Sequence, residues 1–145
     1  FDVQQELDSL LSNPGVLLGD EYKSPEDLGS LYGRVDLVWA CYPFSSETVG
    51  NWRLAKTNRF YESMAYGIPI IVQSGTMDAI YVKKFGLGLV LDMADIECSI
   101  LKLLSIKDSD VSLWKLNIEN LEDSIFLYSN EHEKLFEALM SNDNE

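Results

Sequence analysis

The segment Asn58-Arg59-Phe60-Tyr61-Glu62-Ser63-Met64-Ala65-Tyr66-Gly67-Ile68-Pro69-Ile70-Ile71-Val72 places a helix and a buried strand within fifteen residues. Its first part reads as a helix over about 58–66, and Gly67 stands where helices commonly end on a left-handed residue. Pro69-Ile70-Ile71-Val72-Gln73 is a continuous apolar run too short for a helix, and so reads as a strand. A strand that is apolar on both faces belongs in a parallel sheet covered on both sides.

The same alternation continues upstream and downstream. Leu7, Leu10 and Leu11 form a helical stripe that stops at Asn13-Pro14-Gly15. Val16-Leu17-Leu18-Gly19 reads as a short buried strand. Ser24-Pro25-Glu26-Asp27 has the form of a helix start, with Ser as N-cap, Pro first and acids in the first turn. That helix is expected to run through Leu28, Leu31 and Tyr32 to Gly33. Asp36-Leu37-Val38-Trp39-Ala40 is the next strand, and residues 41–57 form a long polar loop. After the central segment come a short helix over 76–84, with Lys83 and Lys84 complementing its dipole, and a strand, Gly88-Leu89-Val90-Leu91. From Ile96 the pattern is helical to the end, broken near 107–110 and at Ser129-Asn130.

These elements imply an α/β fold: one domain over 1–145, built as a Rossmann-like parallel sheet with helices on both faces, and a helical extension over 108–145. Ligands of such sheets sit at the carboxyl ends of the strands, here the loops at 19–23, 41–57 and 73–76.

Composition narrows the function. The chain has 145 residues, 24 acidic and 11 basic, for a net charge of −13. Nucleic acid polymers and anionic membrane surfaces are poor partners for such a chain, because they demand clustered Lys and Arg. The charge is uneven, however. Residues 1–50 carry 9 acids and 2 bases, residues 92–145 carry 13 and 4, and residues 51–91 only 2 acids against 5 bases. No apolar run is long enough to span a bilayer, and no signal segment opens the chain. Cys41 and Cys98 have neither CxxC spacing nor His neighbours, so neither a disulfide framework nor a zinc site is expected. A cytoplasmic location without a metal or other cofactor is the default. The chain begins at Phe1 inside a helical pattern, as a piece of a longer protein would.

The basic centre holds the chemistry. Arg53, Lys56 and Arg59 occur in a run without an acid, and either Thr57 or Asn58 can cap the helix that follows. Bases around a helix N-terminus at strand ends suit a diphosphate. Glu62, one turn inside, is placed to accept hydrogen bonds from sugar hydroxyls. The competing reading is that the three bases solvate a loop and Glu62 pairs with one of them. Residue pattern alone leaves both open.

The spelling of residues 58–72 resembles the C-terminal signature of the retaining, family-4-type glycosyltransferases. That signature runs Asn-Lys, two bulky residues, Glu, a short helix, Gly, an apolar residue, Pro and an apolar strand. Its flanks are similar too, with a strand ending in Gly19, an aromatic, a Glu-Asp-Leu helix and Tyr32 ahead of Asp36-Leu37-Val38. The resemblance implies the C-terminal, donor-binding half of a GT-B fold, whose substrate is a nucleoside diphosphate sugar. It implies that Glu62 binds ribose hydroxyls and that Asn58 and Arg59, with Thr57 and Lys56, face the diphosphate. It further implies that the loop from Gly19 lies against the base, with Tyr22 a candidate for stacking. The partner is then an N-terminal acceptor domain of the same protein, and the setting bacterial surface polysaccharide synthesis.

The sequence departs from that pattern in two places. Many relatives carry a second Glu eight residues before the ribose-binding one, where this chain has Leu54, and Glu47 is out of register to replace it. The first strand–helix unit, which usually supplies basic residues for the diphosphate, does not precede Phe1, so the piece alone is expected to be inactive. A nucleotide-sugar 2-epimerase shares the architecture and is the alternative enzyme. A degenerate, non-catalytic scaffold is a further alternative. A receiver-like signalling domain needs acids at strand ends, whereas Asp36 begins its strand. His132 and Cys41 read as surface and core residues, Trp39 and Trp114 as core, and Trp52 as a contact for ligand or domain. Phe85-Gly86-Leu87-Gly88 leads into a strand, not a helix, which excludes a phosphate loop.

Overall fold

The computed structural model describes residues 3–42, 53–54, 56–128 and 132–133, with side chains from Leu7 onward. It divides into two compact units, Phe1–Leu31 and Tyr32–Glu145.

In the first unit, α1 (Val3–Leu11) ends where the sequence breaks it. Asn13 Oδ1 accepts the Gly15 N–H at 2.9 Å and closes a tight turn. Two expectations are corrected beyond it. Val16-Leu17-Leu18-Gly19 is not a strand: it has no partner among the described residues, and Leu17 and Leu18 are 91% and 70% exposed. An apolar run becomes a strand only by pairing. The helix expected from Ser24 begins four residues later, as α2 (Leu28–Tyr32). Residues 24–27 form a turn ahead of it, where the Asp27 carboxylate accepts the Lys23 N–H at 2.8 Å and the Asp27 N–H bonds the Lys23 carbonyl.

The second unit holds a parallel sheet of β1 (Val38–Ala40), β2 (Ile70–Gln73) and β3 (Gly88–Leu91), in the order β1-β2-β3. Val38 pairs with Ile70, and Ile70 with Gly88, so equivalent residues share a face. Helix α3 (Asn58–Ala65) connects β1 to β2, and α4 (Met77–Phe85) connects β2 to β3. Both pack on the face carrying Ala40, Ile70 and Val72, through Phe60, Met64, Ala79 and Val82. Two crossovers of one hand, stepping the same way across a sheet, put both helices on the same side. Ile118 from α6 (Asp108–Glu119) completes that layer. On the other face Cys41, Ile71 and Leu91 meet Leu103 of α5 (Ile96–Leu104). The Rossmann-like α/β reading is thus the observed fold. Its helical extension continues past α6 into a short 3-10 turn, Asp123–Ile125. The break read at Ser129-Asn130 and most of the tail beyond it lie outside the described residues.

Trp39 corrects a third expectation. It lies on the Ile71 side of β1, whose strand neighbour among the described residues is β2, and is 50% exposed and not in the core. Trp114 is half-buried on α6. No helix among the described residues is long and apolar enough to cross a membrane.

The glycines after α4 do the work of entry into β3. Gly86 caps α4 at φ 66°, and Gly88 sits so close to β2 that a Cβ would stand 1.9 Å from the Ile70 carbonyl oxygen. A Gly88→Ala variant is therefore expected to lose at least about 2 kcal/mol of stability through forced separation of β2 and β3. Urea denaturation checks this, and an unchanged midpoint contradicts it.

Candidate functional site

The carboxyl edge of the sheet is where α3 and α4 begin, and each is capped by a threonine. Thr57, in extended conformation, accepts the Phe60 N–H on its hydroxyl oxygen at 3.2 Å. Thr76 does the same for Ala79 at 3.1 Å. Each hydroxyl also donates: Thr76 to the Gln73 carbonyl at 2.8 Å, and Thr57 to Asp78 Oδ2 at 2.7 Å. The Thr57 backbone N–H reaches Asp78 Oδ1 at 3.1 Å. Asp78, in the first turn of α4, thereby fastens the start of α3 to the start of α4.

Asp78 is buried, and burial pushes its carboxyl above the ordinary range, opposed by the Thr57 hydrogen bonds and the Lys56 charge. Its place near a helix N-terminus favours the carboxylate. Asp78 carries no signal in the sequence pattern. An acid in a first turn normally signals only a dipole partner, and nothing in the spelling marks this one as buried.

Glu62 lies one turn into α3, half-buried. Its Oε2 accepts two hydrogen bonds of 2.6 Å, one from Arg59 Nη1 and one from the Tyr32 hydroxyl. The pairing of Glu62 with a neighbouring base is thus present. The phenol of Tyr32 is pushed up to about 12 by burial and by its bond to Glu62. Asn58 is exposed at the same helix start.

Lys56 turns away from this mouth. Its Nζ donates to the Ile125 carbonyl at 2.9 Å and lies 4.1 Å from the centre of the Tyr81 ring, a cation–π contact. Arg53 lines a neighbouring cleft of about 260 Å³ with Gln73, Ser74, Gly75 and Asp92. This cleft occupies the carboxyl ends of β2 and β3, one of the loop positions expected from the sequence. The structure therefore brings Thr57, Asn58, Arg59 and Glu62 together on one helix start. Gly19 and Tyr22 belong to the first unit, both exposed.

Leu54, at the position of the absent second Glu, is 79% exposed. Trp52 and Glu47 lie outside the described residues. Cys41 is a core residue whose thiol burial pushes up to about 11. His132 is exposed and hydrogen-bonds Tyr128.

The Thr57–Asp78 link makes a quantitative claim. Thr57→Val and Asp78→Ala should each cost roughly 1–3 kcal/mol, since each strands the other's polar groups. The double variant should cost little more than the worse single one, because it removes both partners. Denaturation of the four proteins measures the coupling, and simple additivity would contradict a direct link.

No protein-family model matches the chain. Over 93 residues it is 34% identical to the succinoglycan biosynthesis protein ExoL of Rhizobium meliloti (strain 1021). The matched part is 63% of this chain and 23% of that protein, so the chain spans less than a quarter of the relative's length.

Proposed function

We propose that this chain is the donor-binding part of a glycosyltransferase acting in the assembly of a bacterial polysaccharide. The observation that carries the reading is the start of α3. A capped helix begins at the carboxyl edge of a parallel sheet, with Arg59 and Glu62 joined on its first turn. The N–H groups of a helix's first turn lie outside its own ladder and, with the dipole, favour an anion. The likeness to a protein named for succinoglycan biosynthesis supports the polysaccharide setting.

On this reading the ligand is a nucleoside diphosphate sugar. Its diphosphate meets the helix start at Asn58 and Arg59, and its ribose hydroxyls meet Glu62. When the bond from the sugar's anomeric carbon to the diphosphate breaks, negative charge grows on the departing oxygen. The N–H groups of the helix start, with the Arg59 guanidinium beside them, stabilise that charge, which lowers the barrier. An acceptor hydroxyl forms the new bond to the same carbon and gives its proton to the departing diphosphate oxygen. The acceptor site belongs to a part of the protein not contained in this chain. Lys56 is committed to the Ile125 carbonyl and the Tyr81 ring.

Calorimetric titration with UDP, GDP and ADP tests the reading. At least one diphosphate should bind, and Glu62→Ala should weaken it by about 10–100-fold, the worth of a charge-assisted hydrogen bond. Equal binding by Glu62→Ala would remove the ribose role. Absence of binding by any of the three nucleotides would remove the donor-binding role itself.

A further inference from the structure

We infer that Tyr32 is a positioning residue for Glu62, and that the pair makes the site select ribose over 2′-deoxyribose. The inference rests on the reading that the start of α3 takes a nucleoside diphosphate. Tyr32 ends α2, far from Glu62 in sequence, and its ring is buried and stacked on Tyr66 with centroids 5.0 Å apart and planes at 15°. The packed ring aims its hydroxyl at Glu62 Oε2, 2.6 Å away. Arg59 Nη1 approaches the same oxygen at 2.6 Å.

A carboxylate oxygen has two lone pairs, and here two donors from different elements occupy those of Oε2. The carboxylate is thereby held against rotation, and Oε1 is the atom presented to a ligand hydroxyl. Arg59 alone would not achieve this. It stands on the same helix as Glu62, at i and i+3, with a long side chain 36% exposed, so the two can move together. Tyr32 is the fixed point. Its phenol, pushed up to about 12, remains a donor throughout the neutral range.

A carboxylate held in one orientation rewards a hydroxyl in one place and is left without a partner when that hydroxyl is missing. Sites built this way reject the analogue lacking the group more strongly than apolar pockets do. A purely structural bridge makes a different forecast: loss of the phenol oxygen would weaken ribonucleotides and deoxyribonucleotides alike.

The test is calorimetric titration of wild type, Tyr32→Phe and Glu62→Asp with UDP, GDP, ADP and their 2′-deoxy forms, after melting curves establish that each protein is folded. Wild type should prefer the ribo form of its nucleotide by about tenfold or more. Tyr32→Phe should bind the deoxy form within about twofold of wild type and keep less than about threefold preference for ribose. Glu62→Asp withdraws the carboxylate from the phenol and should lose the preference too, which keeps the idea testable if Tyr32→Phe does not fold. A wild type that binds both forms equally overturns the inference, as does a Tyr32→Phe protein that keeps its preference or weakens both forms alike. The nucleotide reading survives either result. A wild type that binds none of the six nucleotides overturns both.

Discussion

Parallel pairing is the constraint from which the site follows. All four residues of β2 are buried, and β1 and β3 pair with it in the same direction. Parallel neighbours cannot be joined by a tight turn, so the chain must cross the sheet through a helix each time. Both crossing helices then start at the carboxyl edge. That edge acquires two helix N-termini, two threonine caps and the loop residues between them before any ligand is considered. Asp78 ties the two starts together, which makes the edge one piece of structure.

Electrostatics adds selectivity to this geometry. The protein is strongly acidic, yet its middle third carries an excess of base. The structure gives the three bases around the α3 start different tasks. Lys56 is directed over aromatic rings toward Ile125, Arg59 is paired with Glu62, and Arg53 lines the cleft beside β2 and β3. Positive charge near the mouth is therefore carried chiefly by the two arginines and the helix dipoles.

Much of this was legible in the sequence because the relevant signals are local. Gly67 marks a helix end, Thr57 or Asn58 a start, and the Ile70-Ile71-Val72 run reads as a buried strand. Two of the errors share a cause, which is dependence on a partner distant in sequence. Val16-Leu17-Leu18-Gly19 has the spelling of a strand but no neighbour to pair with among the described residues. Trp39 has the spelling of a core residue but lies at the edge of the described sheet. The start of α2 differs for a local reason: residues 24–27 form a turn before the helix begins at Leu28. At the α3 start, the pairing of Glu62 with a neighbouring base was one of the two readings the residue pattern left open. The Tyr32 hydroxyl and the burial of Asp78 were not legible, since each depends on contacts across 20 to 30 residues.

Whether the start of α3 receives a nucleoside diphosphate is decided by amide NMR with the best-binding nucleotide. Backbone resonances of Asn58, Arg59 and Phe60 should shift most on titration, followed by those of Ser74 and Gly75 at the end of β2, while α5 and α6 stay unmoved. Shifts concentrated on α5 or α6, with the first turn of α3 silent, would contradict the account.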